Sequence, residues 1–67
     1  MLADLLKDLR KKKKVTQSET ARNIGIELRT YVRYESGERE PSIATLLKIA
    51  DYFDVSTDYL LGRPVKD

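Results

Sequence analysis

Residues 25–37 read GIELRTYVRYESG and place two arginines and two tyrosines in one short segment. Projected as a helix at about 100° per residue, the segment divides into two faces. Tyr31 and Tyr34 fall on one side with Glu35 beside them, and Leu28, Arg29, Val32 and Arg33 form a contiguous stripe opposite. Thr30 lies at the edge of that stripe. The two faces have different partners, and the tyrosine face is the one expected in the core.

Other chemistries find little footing. The chain has no cysteine and no histidine, which removes disulfide and thiolate chemistry, the commonest general base and the commonest neutral metal ligand. Its acids are scattered, without metal-ligand or nucleophile-and-base spacing. At 67 residues a single core buries only about 60% of the surface the unfolded chain exposes, leaving no room for a deep cleft. The expectation is one domain that is not an enzyme and holds no cofactor or metal. Apolar runs are two or three residues long and acids stand at Asp4 and Asp8, so neither a membrane span nor a secretory signal is encoded and the cytoplasm is the expected location.

Charge is unevenly placed. The net charge is +2, yet residues 10–39 hold nine basic and four acidic residues. Such asymmetry points to a polyanion partner.

The elements that must position the stripe can be read from periodicity. Leu2, Leu5, Leu6 and Leu9 fall at i, i+3, i+4 and i+7, which predicts an amphipathic helix to about Lys13. The basic run from Arg10 to Lys14 suits its last turn, at the negative end of the helix dipole. TQSE at 16–19 fits a capping box, with Thr16 and Glu19 exchanging bonds and Val15 as a hydrophobic staple. That second helix stops at Gly25, with Ala21 and Ile24 facing the core.

A third helix is expected from about Glu27 to Glu35, ended by Ser36 and Gly37. Ser42 is the expected N-cap of a fourth, whose Ile43, Leu46, Leu47, Ile49, Ala50 and Phe53 predict a wide apolar face at the centre of the core. It ends near Asp54. Val55 and Ser56 repeat the staple and cap before a short fifth helix in TDYLLG. No strand pattern or internal repeat is present. The fold class is therefore all-α, five short helices around one core in residues 1–62, with 63–67 a tail or the start of a linker.

Two helices joined by a tight glycine-containing turn, the second exposing arginines, is helix-turn-helix geometry. The stretch TQSETARNIGIELRTYVRYESGEREPSIATLLKIADYFDVSTDYLLG resembles the Cro/repressor (XRE) family of helix-turn-helix regulators. The likeness runs from Leu5 to Gly62 and rests on Arg10, Thr16 and Gln17, Ala21, Gly25, Glu35 and Gly37, Pro41 and Ser42, Ala50 and the closing VSTDYLLG.

The resemblance implies a lambda-repressor-like DNA-binding domain whose helix-turn-helix is formed by helices 2 and 3, with 27–35 as the recognition helix in the major groove. Arg29 and Arg33 are then candidates for guanine O6 and N7, Leu28 and Val32 for thymine methyls, and Thr30 for a base or phosphate. Gln17 matches a residue that binds phosphate from a helix N-terminus, and Thr16 can cap and bind phosphate at once. Ser36, Arg39 and Ser42 match the loop that grips the backbone beyond the recognition helix. Lys13 and Lys14 are weaker candidates. Arg10 and Glu35 match an internal ion pair, a structural role rather than a DNA contact.

Three residues depart from the family pattern. Glu27 stands where a small serine or threonine usually caps the recognition helix; its charge suits the dipole and repels phosphate, or accepts from cytosine N4. Thr20 replaces a usual leucine and thins the core. Tyr31 replaces a usual aliphatic residue and needs a partner for its hydroxyl.

The expected function is sequence-specific binding of double-stranded DNA by a transcriptional regulator, a repressor of bacterial or phage origin, acting as a homodimer on a pseudo-palindromic operator. Tyr59, Leu61 and Val65 are the candidate dimer contacts, because the last helix has more apolar positions than one stripe requires. Leu60 and Leu61 both covering the core is the alternative. A different class of function is an antitoxin-type protein-interaction module that binds DNA for autoregulation.

Overall fold

The computed structural model describes residues 2–62, which form five helices: α1 (Leu2–Lys13), α2 (Gln17–Ile24), α3 (Leu28–Ser36), α4 (Ile43–Phe53) and α5 (Thr57–Leu60). No strand occurs among the described residues. Val65 and the expected tail at 63–67 lie outside them.

Three of the helices, α2, α4 and α5, start where a side chain satisfies an orphan N–H group. Thr16 accepts from Glu19 N–H at 3.0 Å while the Glu19 carboxylate accepts from Thr16 N–H at 3.1 Å, completing the expected capping box. Ser42 and Ser56 cap α4 and α5 by accepting from Thr45 N–H and Tyr59 N–H. At α3 the cap position is Glu27, which makes no side-chain cap bond. The helix begins at Leu28, one residue later than expected. It runs one residue further, through Ser36, before Gly37 closes it in the left-handed region at φ 82°.

The turn between α2 and α3 depends on Gly25. Its φ of 87° is left-handed, and its N–H and that of Ile26 both donate to the Ala21 carbonyl. A side chain there would meet no neighbour within 4 Å, so the demand is on backbone conformation and not on space. α1 ends without a glycine. Lys14 takes φ 60°, and Val15 N–H reaches back to the Arg10 carbonyl at 3.3 Å, a Schellman-type closure.

The core gathers Leu6 from α1, Ala21 and Ile24 from α2, Tyr31 and Tyr34 from α3, Leu46, Ile49, Ala50 and Phe53 from α4, and Leu60 from α5. Leu2, Leu9, Ile26, Tyr52 and Val55 pack around it. α3 is held between α1 and α2, and α4 closes the core against α1, α2 and α5. Lys13, at the end of α1, sits 4.9 Å from the centre of the Tyr52 ring on α4, a cation–π contact.

This packing corrects one expectation and sets aside one alternative. Ile43 and Leu47 do not join the α4 core face; they are 79% and 52% exposed. The buried arc of α4 is the narrower one through Leu46, Ile49, Ala50 and Phe53, and Ile43 and Leu47 lie on its flank, beyond what a four-residue α5 can cover. Leu60 and Leu61 do not share the core either. Leu60 is 1% exposed and Leu61 is 52% exposed, since adjacent helical positions point about 100° apart.

Thr20 is fully buried, and its hydroxyl donates to the Thr16 carbonyl at 2.9 Å. Its polar atom is thereby satisfied inside its own helix. Tyr31 is buried too, but its hydroxyl finds no hydrogen-bond partner of good geometry. It lies beside the Glu35 carboxyl, close enough for each to affect the other's titration. No helix among the described residues is long and apolar enough to cross a membrane.

Candidate nucleic-acid interface

α3 has the two faces that its sequence anticipates. Tyr31, Tyr34 and Glu35 are buried at 0%, 6% and 2% exposure, and Leu28, Arg29, Val32 and Arg33 are exposed. Thr30 is half-buried at the boundary. Leu28 and Val32 cost hydration where they are, and the helix beneath them is already anchored by its tyrosine face. One turn apart, they carry the two arginines as neighbours, so donors and apolar surface share a ridge about one helical turn long.

The orientation of that ridge is fixed from behind. Arg10 Nε donates to Glu35 Oε2 at 2.7 Å and Arg10 Nη2 to Glu35 Oε1 at 3.2 Å, a bidentate pair between α1 and α3. The third arm of the same guanidinium, Nη1, donates to the Val15 carbonyl in the turn before α2 at 3.2 Å. One side chain thus ties three segments together. Burial pushes the Glu35 carboxyl up, but the hydrogen bonds from Arg10 and Gln17, with the Tyr31 hydroxyl close by, outweigh it and hold its pKa below the ordinary glutamate value. The hydrogen bond to Glu35 raises Arg10 in turn. Both groups are charged across the physiological range.

The candidate phosphate ligands sit at helix ends, and most of their side chains are already bonded internally. Thr16 caps α2. Gln17, the first residue of α2, is half-buried and donates from Nε2 to Glu35 Oε1 at 3.1 Å. Ser36 donates to the Arg33 carbonyl at 3.0 Å and to Glu38 Oε1 at 3.3 Å. Ser42 caps α4 and also donates to the Thr45 hydroxyl at 3.1 Å. Arg39 is exposed, and its backbone N–H donates to the Arg33 carbonyl at 3.4 Å. Lys13 and Lys14 are exposed.

The structure therefore joins Arg10, Gln17 and Glu35 in one network, and Arg33, Ser36 and Arg39 around the end of α3. It forms no side-chain bond from Thr16 or Ser42 to either group.

Two features escape a sequence reading. The bond between Gln17 and Glu35 spans 18 residues and has no local signal; only the folded turn brings α2's first residue to α3. Ile43, exposed directly after the Ser42 cap, has a signal in hindsight: it stands at the edge of the arc that Leu46, Ile49, Ala50 and Phe53 define. Tyr59 and Leu61 are exposed at 42% and 52%. Leu61 borders an apolar groove with Leu2, Leu5, Leu46 and Leu60, away from the α3 stripe.

Comparison with known proteins agrees with this geometry. A family model described as a helix-turn-helix matches residues 6–60. The HTH-type transcriptional regulator AnsR of Bacillus subtilis is 49% identical over 63 residues, covering 94% of this chain and 54% of that protein. The cryptic phage CTXphi transcriptional repressor RstR of Vibrio cholerae is 42% identical over 66 residues, covering 98% of this chain and 59% of that protein. The chain thus spans a little over half the length of these relatives. Among solved structures, the P22 c2 repressor in complex with a synthetic operator superimposes with a TM-score of 0.86 at 27% identity, covering 90% of this chain and 91% of that one.

Proposed function

The chain belongs to the Cro/repressor (XRE) family of helix-turn-helix domains, and from that membership we propose that it binds double-stranded DNA sequence-specifically as the DNA-binding part of a transcriptional repressor of bacterial or phage origin. The observation that carries this reading is the division of α3. Its buried tyrosine face and the Glu35 anchor hold the helix rigidly, so Leu28, Arg29, Val32 and Arg33 are presented as a fixed ridge. A helix of this width fits the major groove, where Arg29 and Arg33 meet guanine O6 and N7 and Leu28 and Val32 meet thymine methyls. Thr30 reaches a base or phosphate from the edge. The reading assigns recognition to the chain and no catalysis.

Affinity in this scheme comes from the backbone contacts. Arg39 supplies a charge, Gln17 a side-chain N–H, and Thr16, Ser36 and Ser42 supply hydroxyls or the N–H groups beside them at helix ends. The P22 c2 repressor, whose structure contains operator DNA, supports DNA as the partner. Two copies on a pseudo-palindromic site, with half-sites roughly 10 bp apart, would meet through exposed apolar residues. Tyr59 and Leu61 fit that role because the core leaves them uncovered. The proposal is tested by selecting random duplex DNA with the purified protein at two salt concentrations. Recovery of a two-fold symmetric motif at both supports it. Binding without a motif, lost as salt rises, would leave only counterion-release affinity and move the chain towards a protein-interaction role.

A further inference from the structure

We infer that Glu35 is a positioning residue for DNA binding as well as the α1–α3 anchor: it holds the Gln17 side-chain amide in one orientation at the N-terminus of α2, leaving one N–H available to a phosphate oxygen. The inference rests on the DNA-binding reading of the preceding subsection.

A glutamine amide has two faces of opposite character, an acceptor oxygen and an NH2 with two donors, and on a free side chain they interchange by rotation. Next to Glu35 they cannot. The Glu35 carboxyl is 2% exposed and kept ionised by Arg10, so it accepts hydrogen bonds and donates none. Only the NH2 of Gln17 can face it, and Nε2 lies 3.1 Å from Oε1. One N–H is committed inward, and the other remains on a half-buried side chain beside the Thr16 cap. Loss of rotamer freedom in the free protein is entropy that need not be lost on binding.

Arg10 joins the same arrangement indirectly. Its Nη2 and the Gln17 Nε2 share Oε1 of Glu35, so the register of α1 against α3 sets where the α2 amide sits. Gln17 is neutral, and its contribution should therefore leave the salt dependence of binding unchanged, unlike that of Arg39.

The test is a double-mutant cycle on affinity for a selected operator, with folding followed separately by thermal melting. Glu35→Gln keeps the side-chain size and removes the charge that orients the amide. In the Gln17 protein it should weaken binding about two- to tenfold, the range of one neutral hydrogen bond. In a Gln17→Met background the loss should be smaller, because only the anchoring of α3 remains to be lost. Equal losses in both backgrounds would show that Glu35 acts only by supporting α3 and would overturn the inference. A wild-type protein that binds no operator at all would instead overturn the DNA-binding reading.

Should Glu35→Gln fail to fold, the wild-type protein still decides the matter. Gln17 is the single glutamine in the chain, so its side-chain NH2 resonances in the free protein are unambiguous. Two proton shifts displaced from those of a solvated glutamine are expected at neutral pH, with the proton facing Glu35 shifted the more. Shifts like those of a solvated glutamine would overturn the inference.

Discussion

Arg10 and Glu35 are 25 residues apart in sequence and meet at 2.7 Å, with the carboxylate almost fully excluded from water. Because the Arg10 guanidinium also reaches the Val15 carbonyl, the pair fixes α1, the turn into α2 and α3 together. Removing one partner leaves a buried charge uncompensated. Arg10→Met should destabilise the domain by about 3 kcal/mol, read as a lower urea midpoint at unchanged slope. For 67 residues that is a large part of a total stability on the order of 3–10 kcal/mol. A loss under about 1 kcal/mol would reduce the pair to a surface ion pair.

The same carboxylate sets the acid limb of stability. Its folded-state pKa lies below the ordinary glutamate value because the Arg10 and Gln17 bonds, with the Tyr31 hydroxyl nearby, outweigh burial. A depressed carboxyl pKa gives stability that is present above the unfolded-state value and lost as pH falls through the folded-state value. Urea midpoints should therefore drop steeply below the ordinary glutamate range. In Glu35→Gln the drop should be shallower, and an unchanged acid limb in that variant would assign it to other carboxylates.

Tyr31 governs the alkaline side. Burial, with the nearby Glu35 charge, raises its pKa well above the ordinary tyrosine value. A raised pKa gives stability that is present below about pH 10 and lost above it, as the unfolded chain ionises first. Its hydroxyl has no good partner, so Tyr31→Phe should be neutral or stabilising by up to about 1 kcal/mol and should flatten the loss above pH 10. Destabilisation at neutral pH would mean that the hydroxyl bonds to Glu35 better than its geometry indicates.

Leu60 and Leu61 separate folding from assembly. Leu60→Ala removes a side chain that is 1% exposed and should cost about 2–5 kcal/mol of stability. Leu61→Lys alters a residue that is 52% exposed and should change stability by less than about 0.5 kcal/mol. If the surface joins two copies, the same change lowers cooperativity on a two-half-site operator. Sedimentation with and without DNA distinguishes the cases, and unchanged assembly in Leu61→Lys would exclude Leu61 from the contact.

The helices were legible because their signals are local. Thr16 with Glu19, Gly25, and the spacing of Leu2, Leu5, Leu6 and Leu9 each act within one or two turns. The two faces of α3 followed from projection alone. What failed depended on neighbours that a projection does not contain. Ile43 and Leu47 are apolar and helical, yet no element covers their flank. Glu27 occupies a cap position without forming the cap bond. At the candidate site, the resemblance implied that Gln17 and Ser36 bind phosphate, and it gave no sign that the fold also commits part of their bonding to Glu35, and to Glu38 and the Arg33 carbonyl. Such commitments arise from tertiary approach or loop closure, which sequence spacing does not encode.

The central claim is that the exposed stripe of α3 reads bases, and it is tested most directly by repeating the selection from random duplex DNA with Arg33→Ala beside the wild type. Arg33 is exposed, so its removal should leave folding intact. It should cost about 1–3 kcal/mol of affinity and erase the preference at one position of each half-site, with the rest of the motif preserved. Arg29→Ala should do the same at a neighbouring position. Arg39→Ala should weaken all sequences evenly and lower the salt slope by about one. An Arg33→Ala protein that folds and selects the wild-type motif unchanged would contradict the account.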